Sequence, residues 1–147
     1  MKYLFSLFMI TMSMLLCSNS LYAQKNAKVK PTEINSIEFK NLIWDFGENE
    51  NDFIYKGKKP AIINFYSPQS SNYKVSMSIL DELEKDYKGK FDIYKINAEQ
   101  EKELIELLQI KDYPTFLFIT KKGEPQTYVG FKTKAQLSQL IDITILK

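Results

Sequence analysis

The residues with most chemistry to offer lie in one stretch, Pro68-Gln-Ser-Ser-Asn-Tyr-Lys74. It follows an apolar run, Ala61 to Tyr66, that is broken only by Asn64. The hydroxyls of Ser70 and Ser71 could attack a carbonyl or cap a helix. A serine nucleophile needs a base to take its proton. The chain has no histidine, so neither a Ser-His-Asp nor a Cys-His arrangement can be assembled. Lys74 or Lys95 could in principle serve, and no sequence signal marks either one. Helix capping is therefore the leading reading of Ser70 and Ser71. A second stretch, Tyr113-Pro114-Thr115, sets a proline just before the apolar run Thr115 to Ile119. Read from the residues alone, that proline shapes the turn into the strand.

The elements that must carry these residues follow from patterning. A short apolar run such as 61–66 fits a strand covered on both faces, as in a parallel sheet. Val75, Ile79, Leu80, Leu83 and Tyr87 predict a helical stripe that Gly89 ends. Before them, Ile34 to Phe39 reads as a first strand or the start of a helix. Phe39, Leu42, Ile43 and Phe46 have helical spacing, and Gly47 to Asp52 is a polar breaker. Phe91 to Ile96 predicts a strand. Glu99 to Gln109 predicts a helix with Leu104, Ile105, Leu107 and Leu108 inward. The strand 115–119, a turn at Lys121 to Glu124 and a strand at Gln126 to Gly130 form a hairpin. Thr133 to Ile145 closes the chain as a helix with Leu137, Leu140, Ile141 and Ile145 inward.

Composition narrows the function classes. A chain of 147 residues, 44% hydrophobic and 14% aromatic, supports one domain with a real core. Its 20 basic residues are all lysine and stand against 18 acidic ones. Without guanidinium forks or a basic footprint, nucleic acid is not an expected partner. With no histidine and no calcium-loop spacing, neither a metal nor another cofactor is expected. The acidic runs 47–52 and 99–106 read as solvated faces.

The first residues read as an export signal. Lys2 precedes the largely apolar run Tyr3 to Leu16, too short for an ordinary membrane span. Leu21-Tyr22-Ala23 offers a small residue at a cleavage point. The expected organisation is a signal peptide over 1–23, a flexible leader over 24–31 and a domain over 32–147, with no membrane span left after cleavage. The single cysteine, Cys17, is then removed with the signal. The alternative, a lipidated lipoprotein cysteine, needs a small residue before it, and Leu16 stands there. Either way the mature, periplasmic or secreted protein keeps no free thiol.

Order and local wording together resemble the thioredoxin family over roughly Ile34 to Leu146. The residues that carry the resemblance are the strand Pro60 to Tyr66, Lys74, Ile79 to Leu83, Tyr94 to Asn97, Ile110 to Thr115 and Gly130. Phe39, Phe53 and the segment Tyr55 to Pro60 are closest to the secreted thioredoxins of Gram-negative envelopes. The resemblance implies an α/β thioredoxin fold, a central mixed sheet flanked by helices in the order βαβαβαββα. It also implies a cis bond at Pro114.

On that alignment the departures fall on the chemistry. The two cysteine positions of Cys-x-x-Cys are Ser70 and Tyr73, so no thiolate is available for exchange. The buried acid falls at Asn64, expected to be hydrogen-bonded in the core, and its lysine partner at Lys95, expected to reach solvent. The residue before the first cysteine is Gln69, and the helix-kinking proline is Ser78. The expected function is a non-catalytic, redox-inactive binding module for an extended peptide or another envelope protein. Its expected binding residues are Gln69, Ser71, Asn72, Tyr73, Tyr113, Pro114 and Thr115. Two alternatives are an oxidoreductase by ancestry, active only when a partner supplies thiols, and an accessory subunit held by an apolar patch of Tyr66, Tyr73 and Tyr113.

Overall fold

The computed structural model describes residues 30–47 and 52–147. The expected signal peptide, Cys17, the leader up to residue 29 and most of the polar breaker lie outside the described residues.

Among the described residues, five strands and four helices follow the expected order. They are β1 (Thr32–Glu33), α1 (Ser36–Leu42), β2 (Ala61–Tyr66), α2 (Tyr73–Asp86), β3 (Asp92–Asn97), α3 (Lys102–Leu107), β4 (Thr115–Ile119), β5 (Pro125–Val129) and α4 (Lys134–Thr144). The sheet runs β1-β3-β2-β4-β5. β1 and β2 are parallel to β3, while β4 is antiparallel to both β2 and β5. All six residues of the central strand β2 are buried, as its unbroken apolar run predicts.

Strand alternation sorts the core into two layers. Ala61, Ile63 and Phe65 join Ile96, Leu117 and Ile119 under α1 and α3. Ile62 joins Ile93, Phe116 and Phe118 under α2 and α4. Asn64 and Tyr66 share the parity of Ile62, so they face α2.

Local chemistry moved several expected boundaries. The first helix starts earlier than apolar spacing suggests. Asn35 accepts from the Glu38 N–H and Glu38 accepts from the Asn35 N–H, a reciprocal cap. Trp44 and Phe46 leave the helix to pack edge-on, 6.0 Å between ring centroids. In α2 the inward stripe is Ser76, Ile79, Leu80 and Leu83, and Val75 is 52% exposed. One residue is about 100° of helix rotation, so Val75 and Ser76 cannot share the stripe's centre. Gly89, at φ +72°, takes the left-handed turn after α2. α3 is shorter than 99–109 and leaves Leu107 exposed. Glu101 is drawn back onto the N–H and hydroxyl of Ser36, so it is not a purely solvated acid. Gln109, at φ +53°, breaks the helix at its other end. Thr133 and Gln136 form a second reciprocal cap that starts α4.

Candidate functional site

The turn from β2 into α2 builds one wall of the site. The Ser70 N–H donates to the Ser67 carbonyl at 3.1 Å, and the Tyr73 N–H donates to the Ser70 carbonyl at 3.0 Å. The Gln69 N–H donates to the Ser67 hydroxyl. These bonds spend the serine segment on turns, so the expected cap at Ser70 or Ser71 does not form. Asn72 takes the cap position, and its side chain makes no capping bond. Gln69 and Ser71 are exposed, while Asn72 and Tyr73 are half-buried. The Ser67 hydroxyl donates to Glu99 at 2.8 Å, which ties this turn to the end of β3.

Behind the turn, Tyr73 stacks on Tyr66 with ring centroids 5.3 Å apart and planes 24° apart. Tyr66 is buried, and its hydroxyl donates to the Glu33 carboxylate at 2.8 Å. Burial first, then the bond to Glu33, holds the Tyr66 phenol above the usual tyrosine range. The other Glu33 oxygen lies 3.6 Å from Lys95 Nζ. Glu33, Lys95 and Asn64 occupy one row across β1, β3 and β2. Lys95 therefore does not simply reach solvent: its ammonium is met by a carboxylate on the edge strand.

Asn64 departs from expectation. It is fully buried, and neither its amide nitrogen nor its carbonyl oxygen has a hydrogen-bond partner. The Ser76 hydroxyl, on the helix that covers this face, is buried and unpartnered as well. The row partners of Asn64 explain the mismatch. Lys95 is turned to Glu33, and Phe116 on the other side has nothing to donate or accept.

The opposite wall is the start of β4. Phe65 pairs with Thr115, so the antiparallel register brings the end of β2 alongside Pro114 and Tyr113. The Tyr113–Pro114 bond is cis. Pro114 and Thr115 are buried, and the Thr115 hydroxyl donates to the Asp112 carbonyl at 2.6 Å. The Pro114 carbonyl accepts from the N–H of Gly130, whose φ of +83° suits glycine. Among the described residues, no backbone hydrogen bond involves the N–H or the carbonyl of Tyr113. The Tyr113 ring packs on the α1/α3 layer, which raises its phenol above the usual range by burial. The expected three-tyrosine patch is thus not assembled: Tyr66 and Tyr73 pair on one sheet face and Tyr113 belongs to the other. Glu33 is the site residue that sequence reading missed. Its partners lie 33 and 62 positions away, and no local pattern marks it.

No helix among the described residues is long and apolar enough to cross a membrane. Among the same residues, no cluster of acidic, histidine or cysteine side chains is arranged to hold a metal ion.

Sheet order and site position together define a thioredoxin-type α/β protein. The thioredoxin family model matches residues 44–143. A thioredoxin of Borreliella burgdorferi is 29% identical over 104 residues, covering 71% of this chain and 88% of that protein. A thioredoxin of Staphylococcus haemolyticus is 30% identical over 95 residues, covering 64% and 88%. The crystal structure of chloroplastic thioredoxin z superposes with a TM-score of 0.65 at 17% identity, covering 78% of this chain and 94% of that one. The chain belongs to the thioredoxin family.

Proposed function

We propose that this protein is an exported thioredoxin-family binding module that holds an extended peptide segment of another envelope protein and performs no disulfide exchange of its own. The observation that carries the reading is the unengaged backbone of Tyr113. It lies where the β2–β4 register sets it opposite the turn that leads to Tyr73. An N–H and a carbonyl free at the head of a strand are what strand addition uses. Gln69, Ser71, Asn72 and Tyr73 then offer side chains across the groove, while Pro114 and Thr115, being buried, shape its floor. β5, the longer of the two edge strands, is a poorer place for a peptide. Pro125 opens it, and Lys132 Nζ donates to the carbonyls of Val129 and Gly130 at its end. Export rests on the segment Lys2 to Ala23.

Family membership supports a second reading, an oxidoreductase by descent. Ser70 and Tyr73 leave this chain no thiol at the site, so exchange would need both thiols from the partner.

The test is selection of short random peptides by display, followed by heteronuclear NMR. Binders are expected to shift the amide of Tyr113 and those of Ser70 to Tyr73, and insulin reduction by dithiothreitol is expected to be no faster with the protein than without it. Binders that shift only residues elsewhere, or dithiol-dependent turnover, would reject the proposal.

A further inference from the structure

We propose that Glu33, on the two-residue edge strand β1, is the positioning residue for the ring that Tyr73 presents to a bound segment. This rests on the peptide-binding reading above. The chain of contacts is short. Lys95 Nζ stands 3.6 Å from one oxygen of Glu33, and the other oxygen accepts from the Tyr66 hydroxyl at 2.8 Å. Tyr66 in turn lies under Tyr73 as a near-parallel partner.

Tyr66 is only 5% exposed, so its hydroxyl has few alternatives to Glu33, and a buried donor left unpaired is costly. Keeping that bond fixes the tilt of the Tyr66 ring. The offset-stacked contact then fixes the tilt of Tyr73, because aromatic pairs have preferred geometries. One face of Tyr73 is thereby committed to Tyr66, and the half-buried ring keeps its remaining surface for a bound segment.

The Glu33 side chain is itself 52% exposed. An exposed edge carboxylate contributes little to global stability. What it controls is local. β1 is held to β3 by the pairs Thr32 with Tyr94 and Glu33 with Lys95, and by the Ile34 N–H on the Lys95 carbonyl at 2.9 Å. Whatever draws this short strand from β3 withdraws the acceptor from Tyr66. The edge strand and the binding face are thus coupled through one carboxylate.

The experiment compares the full chain with Glu33→Ala, Glu33→Gln and Tyr66→Phe. The first readout is the ring-proton spectrum of Tyr66 and Tyr73, with the amides of Leu80 and Ile141 as reporters of intact packing. Glu33→Ala and Tyr66→Phe are expected to collapse the mutual ring-current shifts and leave the packing reporters in place. Glu33→Gln, which still offers a carbonyl acceptor, is expected to restore them. The second readout is affinity for the best displayed peptide, expected to fall about threefold to tenfold in the first two variants, the worth of one ring contact. Ring shifts unchanged in both Glu33→Ala and Tyr66→Phe would overturn the inference. Ring shifts that collapse while affinity holds would keep the positioning and reject the peptide-site reading instead.

Discussion

Two positions, one in β2 and one just before β4, differ in what holds them. Asn64, in the middle of β2, lies where the resemblance sets the family's proton-handling acid. Tyr113, one residue before Pro114, lies where the proposed peptide would pair. At the first, the side chain is an amide with no partner, and the lysine of its row has turned to Glu33. At the second, the backbone geometry is complete, held by Gly130 on the Pro114 carbonyl and by Thr115 on Asp112. The difference teaches that side-chain chemistry and backbone architecture are separable in this fold. Side chains such as Asn64 can lack partners because apolar rows on both faces of β2 hold the strand. The backbone around Pro114 is held by main chain and by residues buried for packing.

The comparison is broken most directly by putting thiols back at the turn from β2 into α2. In Ser70→Cys with Tyr73→Cys, the two sulfurs would span the turn closed by the Tyr73 N–H on the Ser70 carbonyl. Such turns bring their ends within about 7 Å, and disulfides need about 4.4–6.8 Å between Cα atoms. The double variant should form one intramolecular disulfide and raise insulin reduction from background to a measurable rate. Thiols that never join would show that these positions do not correspond to the family's cysteines.

A smaller effect sharpens the claim about Asn64. Replacing it with an apolar residue removes two unpartnered polar atoms from the core. Asn64→Leu should stabilise the protein by about 1–2 kcal/mol in urea unfolding and leave peptide affinity unchanged. A destabilised variant would mean that the amide is satisfied after all.

The smallest effect comes from a carboxylate in neither region, and serves as a control. Asp45 is buried beside Lys56, at 3.1 Å, and Lys40, at 3.3 Å. Burial alone would raise its carboxyl, but hydrogen bonds and charge from the two lysines outweigh it and hold the group below its usual 3.8. Its stabilising contribution is therefore full above that value and is lost as pH falls through the lowered one. Asp45→Asn should flatten that part of the acid-unfolding curve and leave the tyrosine spectra and peptide binding as they are. An unchanged acid limb would remove Asp45 from the account of acid stability.

Much of this was legible in the chain. The continuous run 61–66 fits a covered strand, Gly89 marks the end of a helix, and Thr133 opens the last one. These signals are local, set by periodicity and by backbone groups within a few residues. Boundaries failed where distant side chains intervened. α3 was shortened with its Glu101 held by Ser36, 65 positions earlier. Val75 was misassigned because a buried serine, invisible to an apolar pattern, holds the centre of the α2 stripe.

The candidate site divides the same way. The sequence by itself determined that the chain has no histidine and a single cysteine, at position 17, and that Asn64, Ser70, Tyr73 and Pro114 are the residues at those four positions. Residue identity needs no coordinates. Only the tertiary structure decided that Lys95 answers to Glu33, that Tyr73 lies on Tyr66, that Asn64 has no partner and that Tyr113 belongs to the other face of the sheet. Those facts depend on strand register, on which side of the sheet each residue faces, and on a two-residue edge strand. Register is fixed by the packing of the whole core, so no local stretch of sequence contains it.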